Sequence, residues 1–217
     1  MIRIYSVNTD QLEESLLRET YYRMPLERRT KTDSYRQEMD KKRSIAAFYL
    51  LEKAWMEHQK SGTQEELQLA YSEFGKPYLP DFPEFHFSIS HSGKIAICAT
   101  CETGEIGIDI QLIKETRLGL AERFFTKLER EELEELPLGK ERDRQFAKIW
   151  TMKESYLKYS GQGMRVELSK FYQEQHTGWI LEEQQRRAYV SHFENFEGYL
   201  LAVCQKDAEG ECIFIPF

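Results

Sequence analysis

Nowhere does the sequence run to about 18 consecutive apolar residues, the length a membrane-crossing helix needs. The first residues, MIRIYSVNTD, lack a basic segment followed by an apolar stretch of the kind that directs export. Positive charge is not in excess either: 30 Lys and Arg against 37 Asp and Glu give a formal net charge of −7. The broad basic footprint of a general nucleic-acid binder is therefore missing. Cysteine is scarce, and Cys98, Cys101, Cys204 and Cys212 are too scattered for a disulfide framework, which suits a reducing compartment. There is no exact internal repeat and no low-complexity tract. These absences point to a cytoplasmic globular protein without a membrane or nucleic-acid partner.

What is present fits a folded chain. A hydrophobic content of 41% with aromatic residues throughout, over 217 residues, is enough for two compact units sharing an interface, and the 31% charged fraction supplies a well-solvated surface. Ile2 to Val7 reads as a strand, Gln11 to Tyr22 as a helix, and a long helix runs to about His58 with Ile45, Phe48, Tyr49, Leu51 and Trp55 as its apolar face. Ser61-Gly62-Thr63 reads as a turn, with a short helix or extended segment from Gln64. After residue 165 the pattern changes to successive strands near 167–174, 178–183, 187–193, 198–205 and 211–215, with turns at His176 to Gly178, Glu197-Gly198 and Glu209-Gly210. Each half thus offers a long helix and several antiparallel-type strands, an α+β pattern.

The stretch Phe87 to Gln111 organises the chain. Two strand-like runs, Phe85 to Ile89 and Ile95 to Ala99, flank the polar turn Ser90-His91-Ser92-Gly93, and a third run, Ile106 to Gln111, alternates with period two. Alternation places Ile106, Ile108 and Ile110 on one face and Asp109 and Gln111 together on the other. A carboxylate so placed is suited to a hard cation. A second carboxylate, Glu154, lies in the helical run from Arg144 to Lys158, in line with Phe146 and Trp150, with Lys158 one turn further on. Thr126-Lys127-Leu128-Glu129 fits a capping box opening an acidic helix to about Leu136. The C-x-x-C at Cys98 to Cys101 lacks a second Cys/His pair and reads as buried thiols in a strand. Ser90-His91 suggests a serine hydrolase, but extended neighbours point to opposite faces and no G-x-S-x-G elbow is present.

Taken together, HFSISHSG (86–93), IGIDIQ (106–111) and IWTMKESYLKYSGQG (149–163) resemble the motifs of the Sfp-type 4′-phosphopantetheinyl transferases. The resemblance extends to FGKPYLP (74–80) and RFFTKLE (123–129) and covers roughly residues 70 to 165. Ordered co-occurrence of these elements is a far more specific signal than any one of them.

The resemblance implies two similar pseudo-symmetric subdomains, each a small antiparallel sheet with a long helix, with the active site between them. Residues 1–104 would carry the coenzyme A contacts and 105–217 the metal site. It implies that Arg28, Lys31 and Arg43 hold phosphates of coenzyme A, with Arg28 standing where the family often has lysine. Lys76 would lie in a turn against the adenosine portion, His91 would contact phosphate, and Ser90 would sit beside the nucleotide. Asp109, Gln111 and Glu154 would hold Mg2+, with Gln111 replacing the glutamate of many members; Glu129 has a recurrent counterpart near the active site. The implied enzyme is a magnesium-dependent monomer that moves 4′-phosphopantetheine from coenzyme A to a serine of an acyl or peptidyl carrier protein, releasing adenosine 3′,5′-bisphosphate. Glu154 and Lys158 would be its catalytic residues, with the acceptor of the serine proton left open between a carboxylate and a metal-linked water. Two other readings use the same residues: a non-catalytic coenzyme A or carrier-protein binding module, and a magnesium-dependent phosphohydrolase.

Overall fold

The computed structural model describes residues 1–59, 67–208 and 210–217, apart from the side chain of Met164. The turn expected at Ser61 to Thr63, the segment from Gln64 and part of the Glu209-Gly210 turn lie outside the described residues.

Eleven strands and six α-helices alternate along the described chain. The first half comprises β1 (Ile2–Asn8), α1 (Glu14–Arg23), α2 (Leu26–Asp33), α3 (Glu38–His58), the short pair β2 (Ala70–Tyr71) and β3 (Pro77–Tyr78), β4 (His86–Ser92) and β5 (Ile95–Cys101). The second comprises β6 (Gly107–Leu112), α4 (Leu118–Phe124), α5 (Lys127–Glu135), α6 (Lys140–Ser160), β7 (Phe171–Gln173), β8 (Trp179–Glu182), β9 (Gln185–Phe193), β10 (Tyr199–Gln205) and β11 (Cys212–Pro216). One sheet has the order β11-β1-β5-β4, a second β6-β10-β9-β8-β7, and β2 and β3 form a two-stranded third. The fold is α+β, as the alternation of patterns predicts. Strand β11, which a division at residue 105 assigns to the second half, instead pairs in parallel with β1 and closes the edge of the first sheet.

The two long helices cover opposite faces of the assembly. Helix α3 places Ala46, Phe48, Leu50, Leu51 and Trp55 against Tyr5, Val7, Phe87 and Cys98 of the first sheet. Helix α6 places Phe146, Ile149, Met152 and Tyr156 against Ile180, Ala188, Val190 and Ala202 of the second. Between the sheets lies a third core, in which Ile2, Ile4, Ile95 and Ile97 meet Ile106, Ile108, Ile110, Leu201 and Val203. The period-two reading of Ile106 to Ile110 is thereby met, since these side chains are fully buried between the sheets while Asp109 points toward α6. Cys98 and Cys101 enter different cores on opposite faces of β5, and all four cysteines are free.

The main departure from the sequence reading is in β4. Ser90, His91 and Ser92 continue the strand, paired with Ile97, Ala96 and Ile95, instead of forming a turn. The reversal is confined to Gly93-Lys94, where Gly93 takes φ of 55°, a left-handed value that glycine adopts at little cost, and so permits a two-residue hairpin. The next consequence is at the junction of the sheets. The hydroxyls of Ser88, Ser90 and Ser92, spaced two apart on β4, accept hydrogen bonds from the backbone N–H groups of Ile108 (3.1 Å), Ile110 (3.4 Å) and Leu112 (3.0 Å) on β6. A ladder of side chains thus joins two strands that share no backbone ladder.

Helix α6 presses on β6 at Gly107, where a Cβ would lie 1.9 Å from the Ser155 carbonyl oxygen and 2.4 Å from the Tyr159 nitrogen. Gly107→Ala must force α6 off the sheet, and denaturant unfolding should show a loss beyond the ~1–3 kcal/mol usual for overpacking, or no folded protein. A loss under about 1 kcal/mol would mean that α6 can lift without penalty.

Candidate active site

The elements that meet along the serine ladder bring carboxylates from the second half to cations from the first. Asp109 is almost fully buried on β6. Its Oδ1 accepts from Ser90 Oγ (2.7 Å) and from the ammonium of Lys158 on α6 (2.7 Å), and its Oδ2 accepts from Gln111 Nε2 (3.0 Å). Gln111 therefore stands beside Asp109, as the shared strand face requires. Glu154, one turn before Lys158, has its pKa raised, first by burial and then by the negative charge of Asp109. The two carboxylates feel one another across the junction of β6 and α6.

The first half supplies the opposite charge. Arg28 on α2 is buried; it donates to the Ser44 carbonyl (3.3 Å), lies 5.8 Å from the Phe48 ring centroid, and has a buried Nε with no acceptor. Lys31, one turn on, has its ammonium pKa lowered by burial, then by the charges of Arg28 and Lys158. Arg43 on α3 donates to the Gly93 carbonyl (2.7 Å) and pairs with Asp40, anchoring the helix to the β4–β5 hairpin, and its Nε is likewise buried without an acceptor. His91 packs edge-on to Tyr35. Its pKa falls to about 4, chiefly through burial and then through Lys158, Arg43 and Arg28, so the imidazole is neutral at pH 7. Lys31 and His91 thus lie in the field of Arg28 and Lys158, beside the buried Nε groups of Arg28 and Arg43, and the cluster suits an anionic ligand.

The arrangement thus collects Arg28, Lys31, Arg43, His91, Ser90, Lys158, Asp109, Gln111 and Glu154. Lys76 is placed differently: its ammonium donates to the Tyr159 carbonyl (3.1 Å), reaches the Ile106 carbonyl (3.5 Å) and pairs with Glu105. Glu129 also faces elsewhere. It closes the Thr126 capping box, and its Oε2 accepts from the wholly buried Lys153 (2.8 Å), which also donates to the carbonyls of Leu168 (2.8 Å) and Phe171 (2.9 Å). Lys153 precedes Glu154 and fixes the roll of α6. A single buried lysine carries no sequence signal for this role. The serine ladder did carry one, in the period-two spacing of Ser88, Ser90 and Ser92.

The donor set suits a magnesium ion. Such an ion takes one or two carboxylates, keeps waters and draws its remaining oxygens from a phosphate substrate. Among the described residues no three His, Cys, Asp or Glu side chains form a cage. Asp109 and Glu154, with the Gln111 amide alongside, match the sparse protein share magnesium requires. In the free protein both Asp109 oxygens are engaged by Lys158, Ser90 and Gln111, and an incoming cation must displace donors. Gln111→Glu exchanges one such donor for a carboxylate and should tighten magnesium binding to the free protein by about ten-fold, read by titration calorimetry. Unchanged or weaker binding would remove Gln111 from the ion's surroundings.

Comparison with known proteins bears on the same two halves. Residues 105–204 match the family model described as the 4′-phosphopantetheinyl transferase superfamily, and residues 13–103 match one described as 4′-phosphopantetheinyl transferase, N-terminal. The chain is similar to 4′-phosphopantetheinyl transferase Sfp of Bacillus subtilis, 37% identical over 148 residues, which are 65% of this chain and 64% of that protein. It is 37% identical over 146 residues to 4′-phosphopantetheinyl transferase ffp of Bacillus subtilis, across 64% of this chain and 63% of that one. With 4′-phosphopantetheinyl transferase HetI of a Nostoc species the identity is 39% over 104 residues, 46% of this chain and 44% of its counterpart. The similarity thus spans less than two thirds of the length of these relatives. Two models whose descriptions both name 4′-phosphopantetheinyl transferases thus match the two halves in turn, and with these relatives they bear out the resemblance to the Sfp-type 4′-phosphopantetheinyl transferases.

Proposed function

We propose that this protein transfers 4′-phosphopantetheine from coenzyme A to a serine of an acyl or peptidyl carrier protein and releases adenosine 3′,5′-bisphosphate. The observation that carries the reading is the adjacency of Asp109 and Glu154 to Arg28, Lys31, Arg43, His91 and Lys158, a cluster in which burial and neighbouring positive charge lower the pKa of Lys31 and of His91. Arg28, Lys31, Arg43 and His91 would hold the oxygens of a diphosphate, and Asp109 and Glu154 would hold a magnesium ion bound with it. Held by these residues and Gln111, magnesium would neutralise the diphosphate and orient it.

The side chains then have distinct tasks. Arg28, Lys31 and Arg43 bind and align the phosphates of coenzyme A, which is most of the catalytic work in phosphoryl transfer. His91, neutral in the free protein, gains a hydrogen-bonding anion, and Ser90 sits beside the nucleotide while keeping Asp109 in place. Lys158, freed from Asp109 as the site fills, stabilises charge developing on the transferring phosphate. The proton of the incoming carrier serine goes to a carboxylate, with Glu154 placed to take it, or to a metal-linked water. No enzyme nucleophile is required.

Similarity to proteins named as 4′-phosphopantetheinyl transferases supports this reading over a binding module or a phosphohydrolase. Buried free thiols agree with action in the cytoplasm, and no described helix is long and apolar enough to cross a membrane. Because one chain supplies both charge sets, we propose a monomer as the working unit. Mass spectrometry of a carrier protein incubated with enzyme, coenzyme A and magnesium should show the mass gain of one phosphopantetheine. Glu154→Gln should lose that activity by about 100-fold or more while unfolding at the same temperature. Release of free phosphopantetheine without carrier modification would instead make it a phosphohydrolase, and coenzyme A binding without either product would make it a binding module.

A further inference from the structure

Lys76 stands out because resemblance places it beside the nucleotide while its side chain is committed elsewhere. It projects from a turn that is itself fixed: the Lys76 N–H donates to Ser72 Oγ (3.1 Å), the Ser72 N–H to the Lys76 carbonyl (2.9 Å) and the Gly75 N–H to the Ser72 carbonyl (2.9 Å). From this anchor the ammonium reaches across to the other half. It meets the carbonyl of Ile106, the residue before β6, and that of Tyr159, in the last turn of α6, where a cation also complements the helix dipole. Glu105 supplies its counter-charge and is itself 3.4 Å from His86 Nδ1.

These carbonyls belong to the two elements that carry the acidic pair. Asp109 lies on β6 two residues beyond Gly107, on the same face, and Gly107 is in backbone contact with α6 at Ser155 and Tyr159, the neighbours of Glu154 and Lys158. The contact at Gly107 fixes how closely α6 approaches β6; Lys76 ties the same two elements at their open end. We propose that Lys76 is a positioning residue, which sets the spacing of Asp109 and Glu154 from the other half of the chain by clamping Ile106 to Tyr159. The role rests on the reading of Asp109 and Glu154 as metal ligands, and it differs from a contact with coenzyme A.

Manganese binding at saturating coenzyme A, followed by the electron paramagnetic resonance of the free ion, tests the clamp. Lys76→Met keeps the stem and removes the charge, and should weaken manganese about 3- to 10-fold, at or below the lower end of the ~10–100-fold losses seen when residues behind a metal ligand are changed. Glu105→Gln, at a more than half-exposed side chain, is the gentler variant should Lys76→Met fail to fold, and should weaken manganese about 2-fold. Coenzyme A binding in the presence of a chelator should be unchanged in both. The proposal is overturned if manganese affinity is unaltered in the folded variants, or if coenzyme A binding in chelator weakens, which would return Lys76 to the nucleotide. Asp109→Asn separates the two levels: if it binds manganese as wild type does, the metal reading itself fails, whereas a loss in Asp109→Asn alone removes only the clamp.

Discussion

The structure depends on a joint made of side chains. Strand β6 is paired with β10 on one edge, and its other edge carries the N–H groups of Ile108, Ile110 and Leu112 toward β4. Left unsatisfied in the interior, each would cost about 1–3 kcal/mol. Three serine hydroxyls meet them, so the halves can sit only in the register that matches hydroxyl to N–H. That register sets Ser90 against Asp109 and brings His91 within the field of Lys158. The gathering of charge at the junction follows from the joint.

Charge at the junction is poorly balanced within the protein. Lys158 pairs with Asp109 while its charge bears on Lys31 and His91, Glu154 is held back from ionising, and His91 is held back from protonating. Mutual perturbation on this scale is common at functional sites, where bound ligand restores the balance. Lys153 on α6 instead pairs with Glu129 on α5 and donates to the carbonyls of Leu168 and Phe171, contacts that orient the helix. Two lysines on one helix thus do different things: Lys153 ties α6 to α5 and the core, and Lys158 reaches Asp109 at the candidate site.

Legibility from sequence followed physical locality. The alternation of Ile106 to Gln111 determined a face, and both the buried isoleucines and the Asp109–Gln111 neighbours came out as read. The helices bearing Phe48 and Glu154 and the capping box at Thr126 are local patterns and were equally readable. Ser90 to Ser92 read as a turn because polar residues beside glycine resemble one, and only the partner strand shows that their hydroxyls replace a backbone ladder. The position of β11 in the first sheet depends on pairing with β1 across nearly the whole chain, which no local pattern encodes. Lys76 read as a nucleotide contact and Glu129 as a helix cap with a counterpart near the active site, and the contacts they make, like those of Lys153, were not legible because their partners are distant in sequence or are backbone carbonyls.

In the proposed function, cations of one half and carboxylates of the other form a single site, filled by one phosphate ligand and one metal ion together. Coenzyme A affinity measured by calorimetry with and without magnesium, in wild type and in Asp109→Asn, tests this most directly. Reciprocal binding requires magnesium to tighten coenzyme A, here by about ten-fold or more in wild type, and that gain should vanish in Asp109→Asn. Magnesium without effect on coenzyme A, or a gain that survives in Asp109→Asn, would contradict the account.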